Sequence, residues 1–143
     1  MLFREARIED IPAISGIRLL VTENVLSDPR KVTPEICADY LSASGKGWLC
    51  EVEGEVVGFS IASLRDASIW ALFVKPGYEG RGIGTSLLKL ATGWLFSMGA
   101  LTISLSTEAN TRADRMYESQ GWKRGEIKTD GEVGYQLNNP GRT

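Results

Sequence analysis

The 143 residues include no histidine. That absence removes the Ser-His-Asp and Cys-His nucleophilic arrangements in their usual forms, together with every histidine-ligated metal site. A general base in this chain has to be a carboxylate, a tyrosine, a lysine, a cysteine or a relayed water. Cysteine is scarce too. Cys37 and Cys50 are too few for an all-cysteine zinc site and too far apart for a CxxC motif. Each has apolar neighbours, so buried free thiols in a reducing compartment are expected, and no metal. No apolar run approaches membrane-spanning length, and Met1-Leu2-Phe3-Arg4-Glu5 lacks the apolar core of a secretion signal. The expectation is a cytoplasmic protein. Charge of one sign is also wanting. Sixteen basic against 18 acidic residues leave a net charge of -2, which gives no general attraction for nucleic acid or an anionic membrane.

What is present reads as one globular domain over 1–143, with 138–143 as a frayed tail. A share of 43% hydrophobic and 24% charged residues is ordinary globular usage and argues against disorder. Leu2 to Ala6 is a candidate edge strand. Glu9-Asp10 with Pro12 marks a helix entry, after which Ile11, Ile14, Ile17 or Arg18, and Val21 keep helical spacing. The pattern breaks over Thr22 to Pro34, with a turn at Asp28-Pro29. Thr33 as cap and Pro34 as first helical residue open a second helix carrying Cys37, Tyr40 and Leu41 on one side.

After Gly45-Lys46-Gly47 the period changes. Trp48 to Val52 and Glu55 to Ala62 are strands joined by a tight turn at Glu53-Gly54. Ser68 to Val74, continuously apolar after its first residue, predicts a central strand covered on both faces. A long amphipathic helix runs from Arg81 to Met98, its stripe formed by Ile83, Leu87, Leu90, Ala91, Trp94, Leu95 and Met98, with Gly99 as its stop. Leu101, Ile103 and Leu105 alternate with polar residues as a strand. Asn110 to Gln120 is a helix with Asn110 as cap and Ala113, Met116 and Tyr117 inward. A hairpin of Trp122 to Lys128 and Val133 to Leu137, turning near Asp130-Gly131, ends the domain. The fold class is α/β (α+β): a mixed, mostly antiparallel central sheet of about seven strands with helices on both faces. Ser68 to Ser106 is its parallel strand-helix-strand unit.

Between the central strand and the long helix lies Pro76-Gly77-Tyr78-Glu79-Gly80-Arg81-Gly82-Ile83-Gly84-Thr85. The first amides of a helix have no internal partners, and glycines let an anion approach them. Arg81 adds charge and Thr85 a hydroxyl, so a phosphate or pyrophosphate suits this turn. A tight strand-to-helix turn that simply needs small residues is the competing explanation. Gly80, Gly82 and Gly84 match neither the triphosphate loop nor the dinucleotide fingerprint.

Val74-Lys75-Pro76 leading into Gly80-Arg81-Gly82-Ile83-Gly84, followed downstream by Asn110-Thr111-Arg112-Ala113, Met116-Tyr117 and Gly121-Trp122, resembles the GNAT superfamily of acyl-CoA-dependent N-acyltransferases. The family loop is usually Gln or Arg, two residues, Gly, one residue, then Gly or Ala; here Glu79 stands at the commonly Gln or Arg position and is expected to point away from an anion. The resemblance implies an N-acetyltransferase that moves an acetyl group from acetyl-CoA to a primary amine by direct attack, with no covalent intermediate and no metal. It implies that Leu72, Phe73 and Val74 pair with the pantothenyl arm through their backbone. It puts the diphosphate on Arg81, Gly82, Ile83, Gly84 and Thr85, and gives Asn110 a clamping role beside that of helix cap. Tyr117 would protonate the departing thiolate; its spacing alone favours a core tyrosine, and the two motifs together favour the catalytic role. Glu108 is the first candidate base and Glu23 the second, with a water relay as the alternative.

The acceptor, a small-molecule or peptide amine, is expected among Arg18 to Asp39, Trp70 and the final hairpin. Arg112 and Arg115 could reach cofactor phosphates. Many relatives pair, so a homodimer is among the implications. A non-catalytic acyl-CoA-binding or sensing module on the same fold is the alternative function, and an unrelated small α/β domain with a structural glycine turn the further one.

Overall fold

The structure, a computed structural model, describes residues 1–20, 34–42 and 44–140. In chain order these form β1 (Leu2–Glu5), a 3-10 turn (Ile8–Asp10), α1 (Ile11–Leu20), α2 (Pro34–Ser42), β2 (Gly45–Val52), β3 (Glu55–Ser63) and β4 (Ser68–Val74). There follow α3 (Ile83–Ser97), β5 (Thr102–Glu108), α4 (Arg112–Ser119), β6 (Lys123–Ile127) and β7 (Glu132–Asn138). The described residues build a seven-stranded sheet in the order β1-β2-β3-β4-β5-β7-β6. Only β4 with β5 is a parallel pairing among them. The element order and mixed sheet expected from the sequence are those observed. Val21, Glu23, the Asp28-Pro29 turn and the Thr33 cap lie outside the described residues.

Local chemistry explains the frame. Glu53 and Gly54 both have positive φ, 53° and 81°, the geometry of the two-residue hairpin turns that match strand twist, and they pair Val52 with Glu55. On one face, Ile14 and Ile17 of α1 pack on Leu49, Phe59 and Ile61, with Tyr40 and Leu41 of α2 beside them. On the other, Ile83, Leu87, Ala91 and Leu95 of α3 join Val57, Ile103, Leu105 and Tyr117. Period-2 alternation in the strands feeds both cores. Cys37 and Cys50 are buried free thiols, as expected. Among the described residues no helix is long and apolar enough to cross a membrane.

Several expectations change. β2 begins at Gly45, not Trp48. The glycines that read as a break are strand residues under tight approach: a Cβ at Gly45 would stand 1.9 Å from the Ala62 carbonyl oxygen, and one at Gly47 2.5 Å from a Leu41 methyl. The long helix starts at Ile83, because Gly82 caps it with φ 81°. Leu90 and Met98 are exposed whereas Leu88 and Thr92 are buried, since the face against the sheet follows the i, i+4 row from Ile83 to Leu95. The cap of α4 is Thr111, not Asn110: the Thr111 hydroxyl accepts the Asp114 N–H at 3.3 Å and donates to the Glu108 carbonyl at 2.8 Å. Finally, β4 is not covered on both faces. Only Ile69 is buried and the rest of the strand is half-buried, because its neighbour on one side departs.

Candidate active site

β4 and β5 share a single register pair, Ser68 with Ser104. Beyond it β4 stays with β3 as far as Val74, while β5 stays with β7 as far as Glu108, and the parallel strands part. Backbone direction within β4 follows from alternation. The Lys75 N–H donates to Val57 on β3 at 2.7 Å, so Phe73, two residues back, also faces β3, and Leu72 and Val74 turn their amides and carbonyls into the gap.

Two clefts fill that gap. The first, about 500 Å³, is lined by Leu72, Phe73, Val74, Tyr78, Gly80, Gly82, Ile83, Gly84, Thr85, Met116 and Tyr117, among others. The second, about 440 Å³, is lined by Trp70, Leu72, Phe73, Glu108, Asn110, Tyr117, Asp130 and Glu132, among others. Leu72, Phe73 and Tyr117 are walls of both. The structure therefore gathers most of the sequence-predicted residues but divides them: Val74 and the glycine loop on one side, Glu108 and Asn110 on the other, with Leu72, Phe73 and Tyr117 between. Glu23 lies outside the described residues.

The first cleft fits a diphosphate. Gly80 and Gly82 have φ of 77° and 81°, and a Cβ at either would stand in open space; the first amides of α3, beside them, have no partners within the helix. Arg81, expected to hold the diphosphate, is exposed and is not among the residues lining this cleft; its guanidinium lies 5.0 Å from the ring of Tyr78, which is. Thr85 already accepts Gln120 Nε2 at 2.6 Å, a tie between α3 and the end of α4 that the sequence did not disclose. Glu79 also borders the cleft; its carboxylate takes the Gly77 N–H at 2.6 Å. Amide hydrogen bonds in this turn, its own first and then that of Gly77, hold it below the ordinary carboxylate value. Arg112 lines this cleft; Arg115 is exposed and is not among its lining residues.

Tyr117 is 4% exposed. Burial pushes its phenol well above the ordinary tyrosine value, which makes it a proton holder through the physiological range and not a base. Its ring packs against Trp122 and Tyr135 at 5.9 and 5.6 Å between centroids. In the second cleft Trp70 serves two ends: one face stacks on Tyr40 of α2 at 4.2 Å while the residue still lines the cavity. Of the expected acceptor region, Trp70 and the hairpin are present in this lining; the described parts of Arg18 to Asp39 are not. The cleft carries the carboxylates of Glu108, Asp130 and Glu132, and among the described residues its lining includes no lysine or arginine.

One cluster beside the site went unseen in the sequence. Asp114, 5% exposed, accepts Arg124 Nε at 3.0 Å and Nη2 at 2.9 Å, the Asn110 N–H at 2.8 Å, and the Tyr135 hydroxyl. The Arg124 guanidinium holds this carboxyl far below its ordinary range; burial first, and then Asp114, push the Tyr135 phenol up to about 12. Arg124 and Tyr135 lie 10 and 21 residues from Asp114, and no spacing rule links them to it.

A model of the acetyltransferase (GNAT) family matches residues 15–122, and the chain belongs to that family. It is 33% identical over 111 residues to the mycothiol acetyltransferase of Propionibacterium freudenreichii subsp. shermanii, which spans 73% of this chain and 34% of that protein. It is 30% identical over 91 residues to an uncharacterized N-acetyltransferase of Mycobacterium tuberculosis, 60% of this chain and 58% of that one. The chain thus matches about a third to three fifths of these curated relatives' own length. Its fold is similar to that of the PaiA N-acetyltransferase of Thermoplasma acidophilum in complex with coenzyme A, with a TM-score of 0.78, 17% identity, and coverage of 96% of this chain and 98% of that one.

Proposed function

We propose that this chain is an N-acetyltransferase that moves an acetyl group from acetyl-CoA to a primary amine by direct attack. The observation that carries the reading is the common wall: a glycine-lined anion cleft and an acidic cleft meet at Leu72, Phe73 and the buried hydroxyl-bearing Tyr117. Acetyl-CoA, when bound, supplies an activated acyl thioester. The amides of Gly82, Ile83, Gly84 and Thr85 would hold its diphosphate, and the exposed Arg81 beside them would add positive charge. The β4 groups of Leu72 and Val74 that face the gap would pair with the extended arm as an added strand does, and one of these amides would stabilise the developing oxyanion. Phe73 contributes its side chain to the wall, its backbone being turned to β3.

In the transfer an N–C bond forms, the C–S bond breaks, and nitrogen that arrives as ammonium gives up two protons, one before attack to free its lone pair and one after it, both reaching solvent by way of the base. Tyr117 gives its phenolic proton to the sulfur and regains one from solvent. Glu108, on the acceptor cleft, takes the amine proton directly or through water; Glu23 is the alternative base. The acceptor cleft carries the carboxylates of Glu108, Asp130 and Glu132, toward which an acceptor that arrives as an ammonium ion would be drawn. The buried thiols Cys37 and Cys50 suit a cytoplasmic setting.

The test is a panel of amines with acetyl-CoA, read as free thiol release. Turnover is expected with at least one cationic amine, and Tyr117→Phe should lower kcat by about 10²-fold or more while leaving acetyl-CoA affinity within about threefold. Thermal stabilisation by acetyl-CoA without thiol release for any amine would instead mark a binding module. An unchanged kcat in Tyr117→Phe would remove Tyr117 from the acid role.

A further inference from the structure

The geometry points to Asp114 as the residue that positions Tyr117 and Asn110, by fixing the rotation of α4 against the distal half of the sheet. The inference rests on the acyltransfer reading above. α4 has eight residues, and its inward apolar side chains are Ala113, Met116 and Tyr117. So short a helix has little intrinsic stability, and three apolar contacts leave its rotation about its axis weakly set. Asp114 lies one turn before Tyr117 on the same buried face. Its carboxylate gathers donors from three other pieces of chain: the β5–α4 loop through Asn110, β6 through Arg124, and β7 through Tyr135.

Each bond bears on the site. The Asn110 N–H is held while that residue sits at φ 66°, a left-handed conformation that asparagine adopts more readily than most residues, and Asn110 lines the acceptor cleft. Tyr135, bound through its hydroxyl to Asp114, places its ring against Tyr117. The bidentate arginine is a planar, directional contact, and a buried carboxylate cannot drift from such donors without leaving charge unpaired. Asp114 does not itself line either cleft. It acts through Tyr117 and the loop.

The experiment compares Asp114→Asn with the wild-type protein, alone and in a Tyr117→Phe background, using an amine that gives turnover. A misplacement near 1 Å at a catalytic group costs about 10²-fold, so kcat should fall by about that factor. The KM for acetyl-CoA should stay within about threefold, because the diphosphate amides belong to α3. In the Tyr117→Phe background Asp114→Asn should add little further loss, since the two changes remove one function. Equal losses in both backgrounds, or a kcat near the wild-type value, would overturn the proposal. A second readout needs no turnover: in ¹³C-tyrosine-labelled protein free of ligand, the Tyr117 ring resonances should shift or broaden in Asp114→Asn. Unmoved resonances overturn the positioning role even where the wild-type protein acetylates nothing, an outcome that would itself sink the acyltransfer reading separately. If Asp114→Asn does not fold, Tyr135→Phe, which keeps the ring and loses one donor to Asp114, carries the same two readouts.

Discussion

Replacing Gly82 by glutamate tests the anion cleft without dismantling the fold. Gly82 caps α3 at φ 81° and ψ 5°, and a Cβ there meets nothing within 4 Å. The cost to folding is therefore backbone strain alone, about 1–2 kcal/mol for an L-residue held in this region, or a fall in Tm of about 3–6 °C for a domain of this size. Binding suffers far more. A carboxylate about 4 Å from a phosphate repels it by an amount between the ~1 kcal/mol of bulk water and the ~4 kcal/mol of a partly shielded surface. Taking about 2 kcal/mol per phosphate charge, two charges raise Kd by several hundredfold, at 1.4 kcal/mol per tenfold. Gly82→Ala carries the same strain without the charge and should raise Kd by less than about tenfold. Calorimetric titration with CoA, alongside melting curves of the same samples, separates the two contributions. If Gly82→Glu bound CoA within about threefold of the wild-type protein, the start of α3 would not hold the diphosphate.

Other consequences are equally measurable. Gly45→Ala drives a Cβ to 1.9 Å from the Ala62 backbone oxygen and should cost about 1–3 kcal/mol by forcing β2 off β3; Gly16→Ala, on α1 with nothing within 4 Å, should gain about 0.4–1 kcal/mol. Denaturant midpoints of the two variants read both signs. Asp114 has a folded-state pKa depressed chiefly by its Arg124 hydrogen bonds. Its contribution is present above the ordinary aspartate value of about 3.9 and is lost as pH falls through its lower folded value. The stability gap between the wild-type protein and Asp114→Asn should therefore be constant from pH 7 to about 5 and narrow below about 4. A gap that widened on acidification would contradict the ion pair.

How much of this could be read in advance differs from element to element. Glu53-Gly54 announced its hairpin, since the turn conformation belongs to those two residues. The amphipathic stripe of α3 announced a helix and its buried row, though not that Leu90 and Met98 would face outward. Gly45 and Gly47 misled, because a glycine that permits close strand approach and one that breaks a chain look alike until the neighbour is known. Asn110 misled similarly: cap chemistry suits Asn and Thr alike, and the contact with Asp114 decided between them.

By itself, the sequence determined the order of elements, the parallel unit inside an antiparallel sheet, and a bare glycine turn at the head of the longest helix. These are local properties, carried by side-chain periodicity and by residues with few allowed backbone conformations. Tertiary structure alone decided that β4 and β5 part after one register pair, that two clefts meet at Tyr117, and that Asp114, Arg124 and Tyr135 close into one buried cluster. Such contacts join residues whose separation along the chain obeys no period; packing the sheet and helices together is what brings them within reach.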